Sequence, residues 1–185
     1  MSHAEAVFGA GAESSRSFAE RVRGAVRLEP EAWEEIARDG GALGQAAVVV
    51  LVAAAAGALA AASAGSATAA AGSALGSFGS WLAISVLLWA AASALRHRLQ
   101  LGTALRVVGF AMAPLALNAL AAIPAVPVQT VVRLLALALF FAALVAGTRQ
   151  ALRVETLRAT LVCATAGLGL LFLAMLAVTL TAPAG

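Results

Sequence analysis

Side chains able to do chemistry are scarce in this 185-residue chain, and their spacing forms no reactive set. The two histidines, His3 and His97, lie outside the apolar runs, and neither has a second ligand at metal-binding spacing. No serine occupies a nucleophile elbow with a base and an acid to serve it, and phosphate-loop and dinucleotide fingerprints are missing. One cysteine, Cys163, excludes an internal disulfide framework and a cysteine-based zinc site, and its apolar neighbours make it a small buried hydrophobe. No carboxylate falls at membrane depth. The sequence therefore predicts no catalytic residue, no metal and no cofactor, and a protein that is not an enzyme.

Polar groups inside apolar stretches usually mark function in a membrane protein, because they are expensive there. Two stand out. Arg133 lies one to two turns into an apolar segment, where its long side chain can snorkel to the interface or meet a lipid phosphate or partner. Asn118 follows Pro114 by about one turn; the proline leaves the carbonyl of Phe110 without its usual donor, and the amide can satisfy a backbone group or bond across helices. Gly44, Gly57, Gly109, Gly147, Gly167 and Gly169 permit close helix approach, and Gly167 and Gly169 with Ala166 form a small-residue patch suited to the bundle or to another chain. Phe140, Phe141 and Phe172 are expected to face lipid or fill the core rather than form a pocket.

The elements that carry these residues follow from composition. The chain is 62% hydrophobic and 11% charged with a mean hydropathy of +0.96, so its solvent is lipid. A membrane helix needs about 20 mainly apolar residues, and five segments qualify, near 42–63, 79–95, 104–122, 128–147 and 157–181. The expected fold is an all-α membrane protein of five transmembrane helices preceded by short amphipathic or interfacial helices. Residues 1–41 form the N-terminal region and 42–185 the membrane domain. The Ile123–Pro127 connection suits only a tight turn between two antiparallel helices, with one bent re-entrant unit as the competing topology. The uncharged Gly/Ser/Ala stretch 64–78 reads as a flexible or partly embedded loop.

Residues 1–14 read as a flexible tail. From Ser15 to Leu28, Phe18, Val22, Ala25 and Val26 recur at helical spacing among Arg16, Arg21, Arg23 and Arg27. Such a helix can lie on the membrane with its arginines among phosphates, or dock on the protein's own core. A second short helix starts at Pro30, with Gly40 and Gly41 stopping it in the left-handed conformation and Trp33 and Ile36 at headgroup level. Residues 1–41 hold no apolar run, so the first hydrophobic segment is also the first anchor.

All 12 basic residues are arginine, and 11 of them fall before the first span, around 96–106 or around 149–158. Positive loops stay cytoplasmic, so the N-terminus is expected inside and the C-terminus outside, with the alanine/arginine bias suggesting a prokaryotic cytoplasmic membrane. Arg96, His97, Arg98, Arg149 and Arg153, with Arg133, are the candidate contacts to anionic phospholipid headgroups. Being spread over loops beside spans, they do not suit nucleic acid.

This layout resembles the Yip1 domain family, a cytoplasmic N-terminal region followed by five membrane helices. The resemblance rests on Gly109-Phe110-Ala111-Met112-Ala113-Pro114, similar to the family's glycine–aromatic–x–x–x–proline signature. It rests also on Gly147-Thr148-Arg149-Gln150-Ala151-Leu152 and on the lead-in Glu29-Pro30-Glu31-Ala32-Trp33-Glu34-Glu35-Ile36. It implies a helical fold and partner binding rather than chemistry. Eukaryotic members bind Rab GTPases, but the acidic motif with tyrosine that they carry is absent from this tyrosine-free chain, so that partnership is not carried over. The expected function is a non-catalytic adaptor or accessory subunit that binds lipid and other membrane proteins, or a second copy of itself. A small-solute or ion transporter or channel, with a site near Pro114 and Asn118, is the alternative.

Overall fold

The computed structural model describes residues 16–63, 65–123 and 125–181, with backbone only for residues 173, 174 and 176–181. The expected tail 1–14 and the C-terminal residues 182–185 lie outside the described residues. Every regular element described is helical: α1 (Phe18–Val26), α2 (Pro30–Arg38), α3 (Ala42–Ala62), α4 (Ala67–Ala94), α5 (Leu101–Ala111), a 3₁₀ helix (Ala113–Ala122), α6 (Val126–Leu152) and α7 (Thr156–Thr181). Four helical segments are long and apolar enough to cross a membrane: α3, α4, the continuous unit Leu101–Ala122, and α6. The apolar stretch described in α7, Thr156–Phe172, is shorter.

Two boundaries depart from the sequence reading. Most of the segment expected as a loop over 64–78 is helix, because alanine is the strongest helix former and Ser66 caps the new start, its Oγ accepting from the Ala69 amide at 3.1 Å. Gly65, at φ +85°, supplies the turn. The α2 stop also differs. Gly41 has φ −69°, and the helix ends at an extended Asp39 whose Oδ1 accepts from the Gly41 amide at 2.8 Å. Left-handed backbone falls instead on Leu28, Arg96 and Arg153, just past α1, α4 and α6. At Leu28 and Arg96 paired backbone bonds close a Schellman motif, Glu29 donating to Gly24 in one and His97 to Ala92 in the other.

Pro114 divides the third apolar segment. Without its N–H the α-helical ladder fails, and the chain tightens into a ten-residue 3₁₀ helix, long for this conformation. That helix packs against α3 and α6. The core runs through α2, α3, α4, α5, α6 and α7, with Trp33, Phe110, Ile36 and Leu88 among its largest buried side chains.

Candidate functional site

The most elaborate side-chain arrangement lies where the N-terminal helices meet the bundle. Ser17 and Glu20 make a capping box that starts α1, and the Ser17 amide and hydroxyl hold the Glu20 carboxyl below its ordinary value. The left-handed turn at Leu28 folds α2 back on α1, and the two cross at Gly24, where an added Cβ would lie 2.5 Å from that of Ala32. This crossing turns Arg21 inward. Only 2% exposed, its guanidinium donates to Glu35 Oε1 from Nε at 3.1 Å and from Nη2 at 2.8 Å. Its Nη1 reaches Asp39 Oδ2 at 2.7 Å and Gln45 Oε1 at 3.1 Å.

Burial alone would disfavour the charged Arg21, but the bonds to Asp39 and Glu35 outweigh it and hold the guanidinium above its ordinary value. The Gly41 amide, then the Arg21 bond, hold Asp39 below the usual carboxylate range. Arg21 is thus not among lipid phosphates; of the two readings of the first helix, the structure adopts docking on the protein's own core. From α5, Arg106 Nη2 donates to the Ala37 carbonyl at 2.8 Å and so closes the C-terminal end of α2.

Beneath the ionic layer, α2 plants its apolar face in the bundle. Trp33 and Ile36 are fully buried inside the protein, so neither side chain is exposed to lipid. An amphipathic helix of nine residues presents the same pattern to a membrane or to a protein groove, and here the groove exists. It exists because position 147 is glycine: a Cβ there would stand 2.7 Å from the Trp33 ring and 2.8 Å from Val107. Gly109 does the same on the other side of α5. A Cβ there would meet Ala46 of α3 at 2.7 Å and Trp81 Nε1 at 3.2 Å, and Trp81 Nε1 donates to the Leu105 carbonyl at 2.9 Å. Phe110 is fully buried, with the Phe18 ring edge-on at 6.5 Å.

Two of the three short motifs singled out in the sequence touch directly, and the third is carried by the neighbouring α5. Trp33 from the lead-in sits on Gly147, and α5 with its Gly109-Phe110 pair lies between α2, α3 and α4. A family model described as the Yip1 domain matches residues 25–178, most of the chain. The chain belongs to the Yip1 domain family. The matched region begins within α1 and includes all of α2, so Trp33, Ile36, Glu35 and Asp39 fall inside it, while Arg21 and Gly24 precede it. Comparison with curated proteins and with solved structures returned no match.

The remaining candidates are scattered. Arg96 and Arg98 are exposed with His97 half-buried in the α4–α5 connection; Arg149 is exposed near the end of α6. Arg153 is exposed and lies 3.8 Å from Glu34 of α2. Arg133 is exposed two turns into α6. Pro114 is buried at the start of the 3₁₀ helix, and Asn118 behaves otherwise than expected: its Oδ1 is buried with no hydrogen-bond partner among the described residues. The small-residue patch on α7 splits. A Cβ on Gly169 would stand 3.2 Å from Leu87 of α4, whereas one on Gly167 would meet nothing within 4 Å, as at Gly44.

Sequence reasoning missed what lies beside Gly167. Phe140, Phe141 and Leu137 of α6, Cys163 and Leu170 of α7, and Ile84 of α4 wall an apolar groove of about 570 Å³. Cys163 itself is buried, its Sγ 3.4 Å from the buried Thr148 hydroxyl. Several other hydroxyls of the apolar helices turn back on their own backbones: Ser85 donates to the Trp81 carbonyl, Ser93 to Trp89, Thr130 to Val126 and Thr165 to Leu161. Bonds of this kind leave no hydroxyl ladder through the described part of the bundle.

Proposed function

We propose that this Yip1-domain protein is a non-catalytic adaptor or accessory subunit that receives a helix of another membrane protein in the groove between α6 and α7. The observation that carries this reading is the open apolar groove beside Gly167, which no described side chain fills, whereas Gly109 and Gly147 already hold side chains of the same chain. A missing side chain lets a partner backbone come near, and packing rather than hydrophobic transfer drives helix association in lipid. In this reading α7 is the fifth crossing, the N-terminus is cytoplasmic and the C-terminus outside. The exposed Arg96, Arg98, Arg149 and Arg153 contact anionic headgroups on the cytoplasmic side. Photo-crosslinking from position 170 in native membranes tests it. One protein adduct is expected at Leu170 and only lipid adducts at Val131, which is 64% exposed on α6. Lipid adducts alone at both positions overturn the reading. A Gly185→Cys variant labelled only from inside overturns the orientation.

A second reading, a small-solute or ion pathway, is favoured by one observation, the unpartnered Asn118 Oδ1 inside the 3₁₀ segment. Broken helices with polar groups near the midplane are how transporters build sites. Flux in proteoliposomes that is lost on Asn118→Leu would establish it; absence of flux for the inorganic ions and small solutes tested removes its support.

A further inference from the structure

On the opposite side of the dock, α1 leaves a second groove, of about 520 Å³, between itself, α3 and the 3₁₀ helix. Phe18, Val22 and Val26 form one wall, Val52 of α3 another, and Ala113 and Ala116 the floor. Ala113 and Ala116 are one 3₁₀ turn apart, so their side chains eclipse and the floor is flat. Phe18, Val26 and Val52 remain 38%, 44% and 53% exposed, so this apolar surface is continuous with the lipid-facing side of α3.

The rim carries a different chemistry. Arg23 and Arg27, four residues apart on one side of α1, line the same groove. The other arginines of this region are committed: Arg21 to Glu35 and Asp39, and Arg16 to Glu29 and Glu35. Arg23 makes no ion pair among the described residues, and Arg27 has only a 3.9 Å approach to Glu29 across an exposed gap. Glu20 is also near, but its carboxyl is engaged by Ser17.

An apolar slot of about 520 Å³, lined also by two available arginines and with a long apolar helix as one wall, fits an amphiphile with an anionic head. We infer that this groove binds one anionic phospholipid, its phosphate between Arg23 and Arg27 and an acyl chain along Val22, Val52 and Ala116. The site is separate from the α6–α7 groove and does not depend on partner binding there. Bound lipid tethers α1 to the spans, so it strengthens the docked N-terminal region.

Native mass spectrometry of the full chain in mild detergent tests this, with phosphatidylglycerol and phosphatidylcholine of identical acyl chains as probes. The wild type is expected to keep one phosphatidylglycerol in preference to phosphatidylcholine. Replacing both arginines (Arg23→Gln with Arg27→Gln) should reduce that preference by about thirty-fold, from roughly fivefold per arginine near a membrane surface. Arg23→Lys with Arg27→Lys should retain most of it, and Arg158→Gln, on α7 outside the groove, all of it. Should the glutamine pair unfold early, Ala116→Phe reads the same site from its floor and should abolish retention with both arginines intact. Equal retention of the two lipids by the wild type, or a preference that survives both Arg23→Gln with Arg27→Gln and Ala116→Phe, overturns the inference. So does competition by millimolar inorganic phosphate, which would mark a free-anion site.

Discussion

Two faces of α6 are put to opposite uses. At its last turns, Gly147 is filled by Trp33, and the helix that brings Trp33 is held by an ionic layer in which Arg21 has three polar partners. Midway along, Phe140 and Phe141 border a groove that nothing in the described chain enters. Both features are missing volume between helices. The difference is that the first has a counterpart within the same chain, with matching shape and charge, while the second is matched only from outside.

If that contrast is correct, damage should be unequal. The largest effect is expected from Trp33→Ala, which empties the dock and should cost about 4 kcal/mol, read as a lowered melting temperature in detergent and faster trypsin cleavage after Arg23. Next comes Glu35→Gln with Asp39→Asn, which leaves Arg21 buried without a carboxylate and should cost about 3 kcal/mol. Arg21→Met should cost less than that pair, since Glu35 and Asp39 are 27% and 38% exposed and can recover water; a larger loss for Arg21→Met would break the ionic account. Gly147→Ala forces the Trp33 ring to move and should cost about 2 kcal/mol. The smallest effect belongs to Gly167→Leu, expected within about 0.5 kcal/mol of wild type because the added side chain enters open space. The same variant should lose the crosslink from Leu170.

Acid sharpens the comparison. Asp39 is held below its ordinary value, so its contribution to the dock is complete above the normal carboxylate range and is lost as pH falls through the depressed value. Arg21 is held above its ordinary value, so its charge is retained throughout that range. Near-ultraviolet circular dichroism should therefore lose part of its tryptophan signal on titration from pH 7 toward 3 in the wild type, and not in Asp39→Asn.

The apolar scaffold was legible in the sequence because long uncharged runs have one physical explanation. The α3 span matches to within a residue, and the break at Pro114 falls where a missing N–H must put it. Residues 64–78 were misread because glycine and serine count as loop formers, while the alanines among them and the Ser66 cap favoured helix. The dock was hidden for a different reason. Amphipathic spacing in α1 and α2 states that one face is apolar without stating what covers it, and Arg21 looks like its neighbours until α2 folds back. One signal was present: Glu35 near the end of α2 and Asp39 just past it are two acids close together in sequence that call for a cation. The groove beside Gly167 had no such signal, since its wall combines residues from three helices.

The 3₁₀ segment also changes how far the chain reaches. A 3₁₀ helix rises about 2.0 Å per residue and an α-helix about 1.5 Å. The 22 residues of Leu101–Ala122 thus extend roughly as far as 25 residues of continuous α-helix, about 37 Å against a hydrocarbon thickness near 30 Å. Pro114 in this sense acts as an extender. It lengthens this apolar segment without adding sequence, and near the segment's start Arg106 holds the end of α2.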